Sequence, residues 1–171
     1  MGINYSRPTP AQSAAFPTQP VAPALPQVVA GPPQQVGAWP ARTDIDAAVA
    51  ACPPDVRQEL AGPCAQALAL LRDHLPAAEE VRHVCSGAVN WTRSPTNSVF
   101  AVTSRRLLFV APAPQVLTFD LTAVESTQCT GNIFHLTADG AKFQLGISQT
   151  HGDQFEQRTS YAVAVARLAH G

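Results

Sequence analysis

Charged and nucleophilic side chains are sparse in this chain, so the few places where they gather stand out. Arg105 and Arg106 sit side by side in VTSRRLLF, between two apolar runs. Two guanidiniums can collect a phosphate, but neighbouring side chains of a strand point to opposite faces, so the pair closes on one anion only if a turn bends it. The mechanical alternative is an arginine that donates its planar fork to carbonyls or a carboxylate and braces a hairpin corner. His74, His83, His135, His151 and His170 are scattered, with no His-Glu-x-x-His pair, no Gly-x-Ser-x-Gly elbow and no Gly-x-x-x-x-Gly-Lys loop. No base is set beside a nucleophile, and the sequence predicts neither catalytic residues nor a cofactor. Cys52, Cys64, Cys85 and Cys129 lack the Cys-x-x-Cys spacing of a zinc or redox site and read as reduced core thiols, so no metal centre is expected.

The charge balance narrows the partners. Net charge is −1, and residues 77–171 carry seven basic and seven acidic side chains. Polyanion binding needs many Lys or Arg to release counterions, so nucleic acid is not the expected partner. The segment NWTRSPTNS, residues 90–98, offers Trp91 and Arg93. An exposed tryptophan there is an interface anchor or a shallow membrane probe, unless the ring folds back on its own domain.

These groups hang on three stretches of different composition. Residues 1–41 hold nine of the sixteen prolines, and Arg7 is the only charged side chain of the first forty residues. Proline removes backbone donors and favours an extended path, so this segment reads as a disordered leader or as a docking arm whose Val21, Leu25, Val28 and Trp39 grip a partner. Residues 42–75 read as short helices at 43–52, 54–60 and 63–74, with Thr43 as a cap and Pro53-Pro54 as a stop. The apolar face of the third is expected to plug an edge or end of the strand-rich domain after it.

From residue 76 the apolar period becomes two, the mark of strands lined on one face by core side chains. Seven are predicted, at 81–89, 98–103, 107–111, 115–121, 125–130, 133–137 and 141–147. Gly131-Asn132 and Asp139-Gly140 supply the positive φ of two-residue hairpins, so the last three strands form a meander. A closing helix at 153–168, capped by Asp153 and entered through His151-Gly152, presents Phe155, Thr159, Ala162, Val163 and Ala166 as one stripe. Short antiparallel strands followed by one amphipathic helix suggest a small curled sheet or barrel plugged by that helix.

FAVTSRRLLFV, then VLTFDLTAVEST, then IFHLTADGAKFQLGI and a terminal helix together resemble the bacterial pleckstrin-homology (PH)-like domains of the YokE-like group, over residues 70–168. Thr103, Arg106, Leu107 and Phe109 match one family string, and Phe119, Leu121, Val124 and Glu125 a second; the first match implies that Thr103 and Arg106 hold the hairpin turn, with Arg106 as its brace. The resemblance implies a mainly β fold, a PH-like barrel of seven antiparallel strands capped by a C-terminal helix, occupying residues 76–171. It also implies a non-enzymatic role. Eukaryotic lipid-binding PH domains carry several Lys and Arg on the first hairpin loop, where this chain has Arg93 alone, which argues against phosphoinositide recognition. The function expected is an adaptor or assembly subunit, cytoplasmic, in a bacterium or phage, with the arm docking on a protein partner. The alternatives are weak anionic-lipid binding at the inner membrane face and a structural role in a virion or particle. No leader or membrane span is read in the sequence.

Overall fold

The computed structural model describes residues 42–89, 96–112 and 115–170. Three short helices come first: α1 (Thr43–Ala50), α2 (Pro54–Ala61) and α3 (Ala65–His74). Seven strands follow: β1 (Val81–Val89), β2 (Thr96–Thr103), β3 (Arg106–Ala111), β4 (Gln115–Asp120), β5 (Val124–Thr130), β6 (Ile133–Ala138) and β7 (Ala141–Ile147). Helix α4 (Gln149–His170) ends the chain. Every expected strand forms, with ends shifted by at most two residues.

The strands make one antiparallel sheet of order β4-β3-β2-β1-β7-β6-β5. Two meanders, β1 to β4 and β5 to β7, are joined at β1 and β7 by only two residue pairs, Gly87 with Ile147 and Ala88 with Gly146. Across that narrow seam the sheet folds onto itself, and both meanders deliver side chains to one interior. Phe100 and Phe109 from one half meet Phe134 from the other and Phe155 from α4, all fully buried. The fold is PH-like.

Local chemistry sets the hairpins. Gly131 takes φ of 61°, as the first central residue of a glycine-led turn, and Asp139 and Gly140 take 50° and 73°, the paired left-handed conformation of a type I′ turn. Gly87 is required for a different reason. A Cβ there would stand 2.5 Å from two atoms of the Phe100 ring and 2.8 Å from the Gly146 carbonyl oxygen, so the seam closes only around a hydrogen.

The first three helices do not plug an edge or end. They lie across the outer face of β1, β2 and β3, where Ile45, Val56, Leu60, Ala67 and Leu71 share a second core with Val84, Val99, Ala101, Leu108 and Val110. The cause is visible in β2 and β3: Val99 and Ala101 point outward and Phe100 and Val102 inward, and none is more than 1% exposed. Strands apolar on both faces need a layer on each side. Residues 42–75 therefore share a core with the barrel.

Two helix starts differ from expectation. Thr43 does not cap α1; Arg42 precedes the helix and no side-chain cap bond forms. Helix α4 begins a turn before Asp153, at Gln149, so His151 and Gly152 are helical and buried. Tertiary contacts hold that extra turn. His151 Nε2 meets Asp55 Oδ2 of α2 at 2.7 Å, and a side chain at Gly152 would collide with Cys129 Sγ. The inner stripe of α4 is as expected, with Phe155, Thr159, Ala162 and Val163 buried and Ala166 half-buried.

Candidate functional site

Among the described residues, the most developed polar cluster joins Arg42, Asp44, Glu79, Thr103 and Arg106. Glu79, in the connector before β1, is 4% exposed, and Thr103, at the end of β2, is fully buried. Arg106 Nε donates to Glu79 Oε1 at 2.9 Å and to Oε2 at 3.0 Å. Thr103 Oγ1 stands 2.6 Å from Glu79 Oε1 and accepts the Arg106 amide at 2.9 Å. A carboxylate taken out of water is thus compensated by a guanidinium fork and a hydroxyl, the arrangement that burial of a charge demands. Ser104 N donates to the Glu80 carbonyl at 2.8 Å, closing the hairpin onto the same connector.

Arg42 extends the cluster. Its Nε and Nη2 donate to Asp44 at 2.9 and 2.8 Å, and its Nη1 to the Leu75 and Pro76 carbonyls at 3.2 and 3.1 Å. Nη2 also donates to the Glu79 carbonyl. Asp44 accepts the Val81 amide at 2.8 Å. The hydrogen bond from Arg42 holds the Asp44 carboxyl well below the usual carboxylate range, against the opposing pull of burial. The first described residue is therefore bolted to α1, to the connector and, through Glu79, to the β2–β3 corner. Arg105, beside Arg106, is exposed.

Other reactive groups are separated and subdued. Burial pushes the Cys85 thiol up to about 12 and raises Cys52 and Cys64 as well. Cys129, half-buried, is also raised, by desolvation and then by Asp153 and Glu156. His83 packs 6.0 Å from the Phe155 ring, and burial, with the Arg158 charge second, lowers it to about 4. Among the described residues no group of three or more His, Cys, Asp or Glu converges as a metal site, and none of their helices is long and apolar enough to cross a membrane.

Two grooves mark the surface. One, of about 330 Å³, follows the β1–β7 seam and is lined by Glu59, Ser86, Asn97, Asn132 and Ser148. Ser86 donates to Glu59, so α2 is tied to the barrel by Glu59 here and by Asp55 one turn earlier. The second, of about 290 Å³, runs between β5 and α4, with Thr127, Ser160 and Arg167 in its walls.

Thr103 and Arg106 are brought together with Glu79, a partner that sequence spacing did not suggest. No local signal pairs residues 27 apart; the only hint was that a buried-looking hairpin corner carrying an arginine needs a counter-charge. Val21, Leu25, Val28, Trp39, Trp91 and Arg93 lie outside the described residues. The seam groove borders the ends of β1 and β2, which flank the loop bearing Trp91 and Arg93.

No protein-family model and no curated protein matches the chain. Among solved structures it is similar to the linker-DH/PH domains of p115-RhoGEF, at 10% identity and a TM-score of 0.46, over 57% of this chain and 33% of that one. It is also similar to the DH/PH domain of human ARHGEF11 in a ternary complex with human RhoA and its inhibitor, at 14% identity and a TM-score of 0.42, over 64% of this chain and 39% of that one. This chain thus spans 33% and 39% of the length of those chains. The PH-like assignment rests on the strand order and helix placement of this chain, not on those overlaps.

Proposed function

We propose that this chain is a non-enzymatic PH-like binding module that serves as an adaptor or assembly subunit, presenting residues 1–41 to a protein partner. The observation that carries the reading is the Arg42 anchor. Five hydrogen bonds from one guanidinium fix the first residue after the Pro-rich segment to α1 and to the connector that enters β1. A stretch with low charge and spaced Val, Leu and Trp side chains, mounted on such a base, suits capture of an apolar groove on another protein at reduced entropic cost. The resemblance of the two sequence strings to the YokE-like group supports a bacterial setting.

The test compares the full chain with two variants, one with Val21, Leu25, Val28 and Trp39 changed to serine, the other with Trp91→Ala and Arg93→Ala. Each serves as bait in extract of its own host and is floated with vesicles of neutral or anionic lipid. The adaptor reading expects a partner retained by the wild type and lost with the arm variant, and no flotation. Flotation on anionic vesicles that needs Trp91 and Arg93 but not the arm would replace it with lipid binding. The same proteins held by wild type and arm variant would remove the arm from the mechanism.

A further inference from the structure

The sheet has two ends, β4 and β5, and they are treated differently. At β5 the edge is stoppered. Glu156 of α4 accepts the Cys129 amide at 2.6 Å, Arg167 donates to the Val124 carbonyl, and a register shift between Val124 and Ser126 bends the strand. These are the devices that keep a strand edge from pairing with another chain. At β4 none of them occurs among the described residues: QVLTFD contains no Lys and no Pro, and its ladder with β3 runs without a shift.

Which groups that edge offers is set by one bond. Leu121 N donates to the Arg105 carbonyl at 2.9 Å, so 105 and 121 form a hydrogen-bonded pair. Stepping by two along the register makes Leu107 with Phe119, Phe109 with Leu117 and Ala111 with Gln115 the other such pairs. The amides and carbonyls of Val116, Thr118 and Asp120 therefore point off the sheet; the Asp120 carbonyl accepts the Ala123 amide at 3.1 Å, and among the described residues no bond engages the other five groups. Leu117 and Val116, both half-buried, sit at the open rims of the inner and outer cores.

We propose that β4 is the pairing edge for a second copy of this chain, joined antiparallel about a two-fold axis at Thr118. That register sets Thr118 against Thr118 and Val116 against Asp120, and forms about four interchain hydrogen bonds from the unengaged groups, the Asp120 carbonyl being held in its own turn. On the inner face it sets Leu117 against Phe119 of the other copy, extending the core across the junction. Neighbouring registers are worse for reasons in the sequence. Sliding one way places Pro114, which has no amide hydrogen, opposite Asp120 or Thr118. Sliding the other way brings the two Asp120 carboxylates together, a like-charge pairing that destabilises. Hydrogen-bond parity and charge both select this register for two copies of the same strand.

The test uses the full chain and the variants Thr118→Lys and Thr118→Glu, at an exposed position whose side chain the fold does not use. Light scattering after size exclusion is expected to give twice the chain mass for the wild type, decreasing on dilution, and the single-chain mass for each variant alone. An equal mixture of the two variants restores the doubled mass, because lysine then faces glutamate. Thr118→Pro, which deletes only an amide hydrogen that points off the sheet, also gives the single-chain mass. A wild type that stays single at all concentrations overturns the proposal. So does a doubled mass that survives Thr118→Lys, or a mixture that fails to pair.

Discussion

Replacing Arg106 by methionine isolates the energetic role of the buried cluster. The substitution keeps the apolar stem and removes the fork that meets both oxygens of Glu79, at 2.9 and 3.0 Å. Glu79 is 4% exposed, so its carboxylate would be left buried with the Thr103 hydroxyl as its main remaining donor. Removing one partner of a buried pair costs about 3–5 kcal/mol; with the Arg106 side chain 24% exposed, water reaches the gap and the lower end, about 3 kcal/mol, is expected. For a folded unit of this size that lowers the melting midpoint by roughly 10 °C. The double variant Arg106→Met with Glu79→Gln removes the stranded charge and should recover at least ~1 kcal/mol of the loss. Equilibrium urea unfolding of wild type, both singles and the double closes the cycle. A cost below about 1 kcal/mol for Arg106→Met, or a double variant no more stable than that single, would refute the account.

The packing and the shifted groups lead to three more expected outcomes. Gly87→Ala, which drives a methyl into the Phe100 ring and the Gly146 carbonyl, should cost about 1–3 kcal/mol in urea unfolding; a neutral result would mean the β1–β7 seam opens freely. His83 has its folded pKa lowered to about 4 from 6.5, so the unfolded chain binds the extra proton. Its contribution is complete above pH 6.5 and is lost as pH falls from 6.5 to 4. His83→Phe should reduce the slope in that window, leaving the part due to His74, which burial also lowers from 6.5, while the loss tied to Asp44, whose pKa is lowered, begins only as pH falls through 3.8. Maleimide labelling of the native chain at neutral pH should reach Cys129 first and all four thiols only on unfolding, since Cys52, Cys64 and Cys85 are buried; fast native labelling of Cys85 would contradict its burial.

The sequence by itself determined whatever depends on neighbours in the chain. Seven strands and their meanders were readable because side-chain alternation and the φ demands of Gly131, Asp139 and Gly140 act within a few residues. The inner face, with Phe119, Phe134, Leu136 and Leu145, came from the same period of two. The placement of α1 to α3 did not, although the unbroken apolar runs of β2 and β3 carried the signal that both faces are covered. Only tertiary structure decided that Glu79 would be the counter-charge to Arg106, that α4 would start at Gln149 through His151 and Asp55, and that β5 would be stoppered while β4 stays open. Each of these joins residues at least 27 apart, where chain connectivity imposes no geometry and the desolvation of a few polar groups chooses the partner.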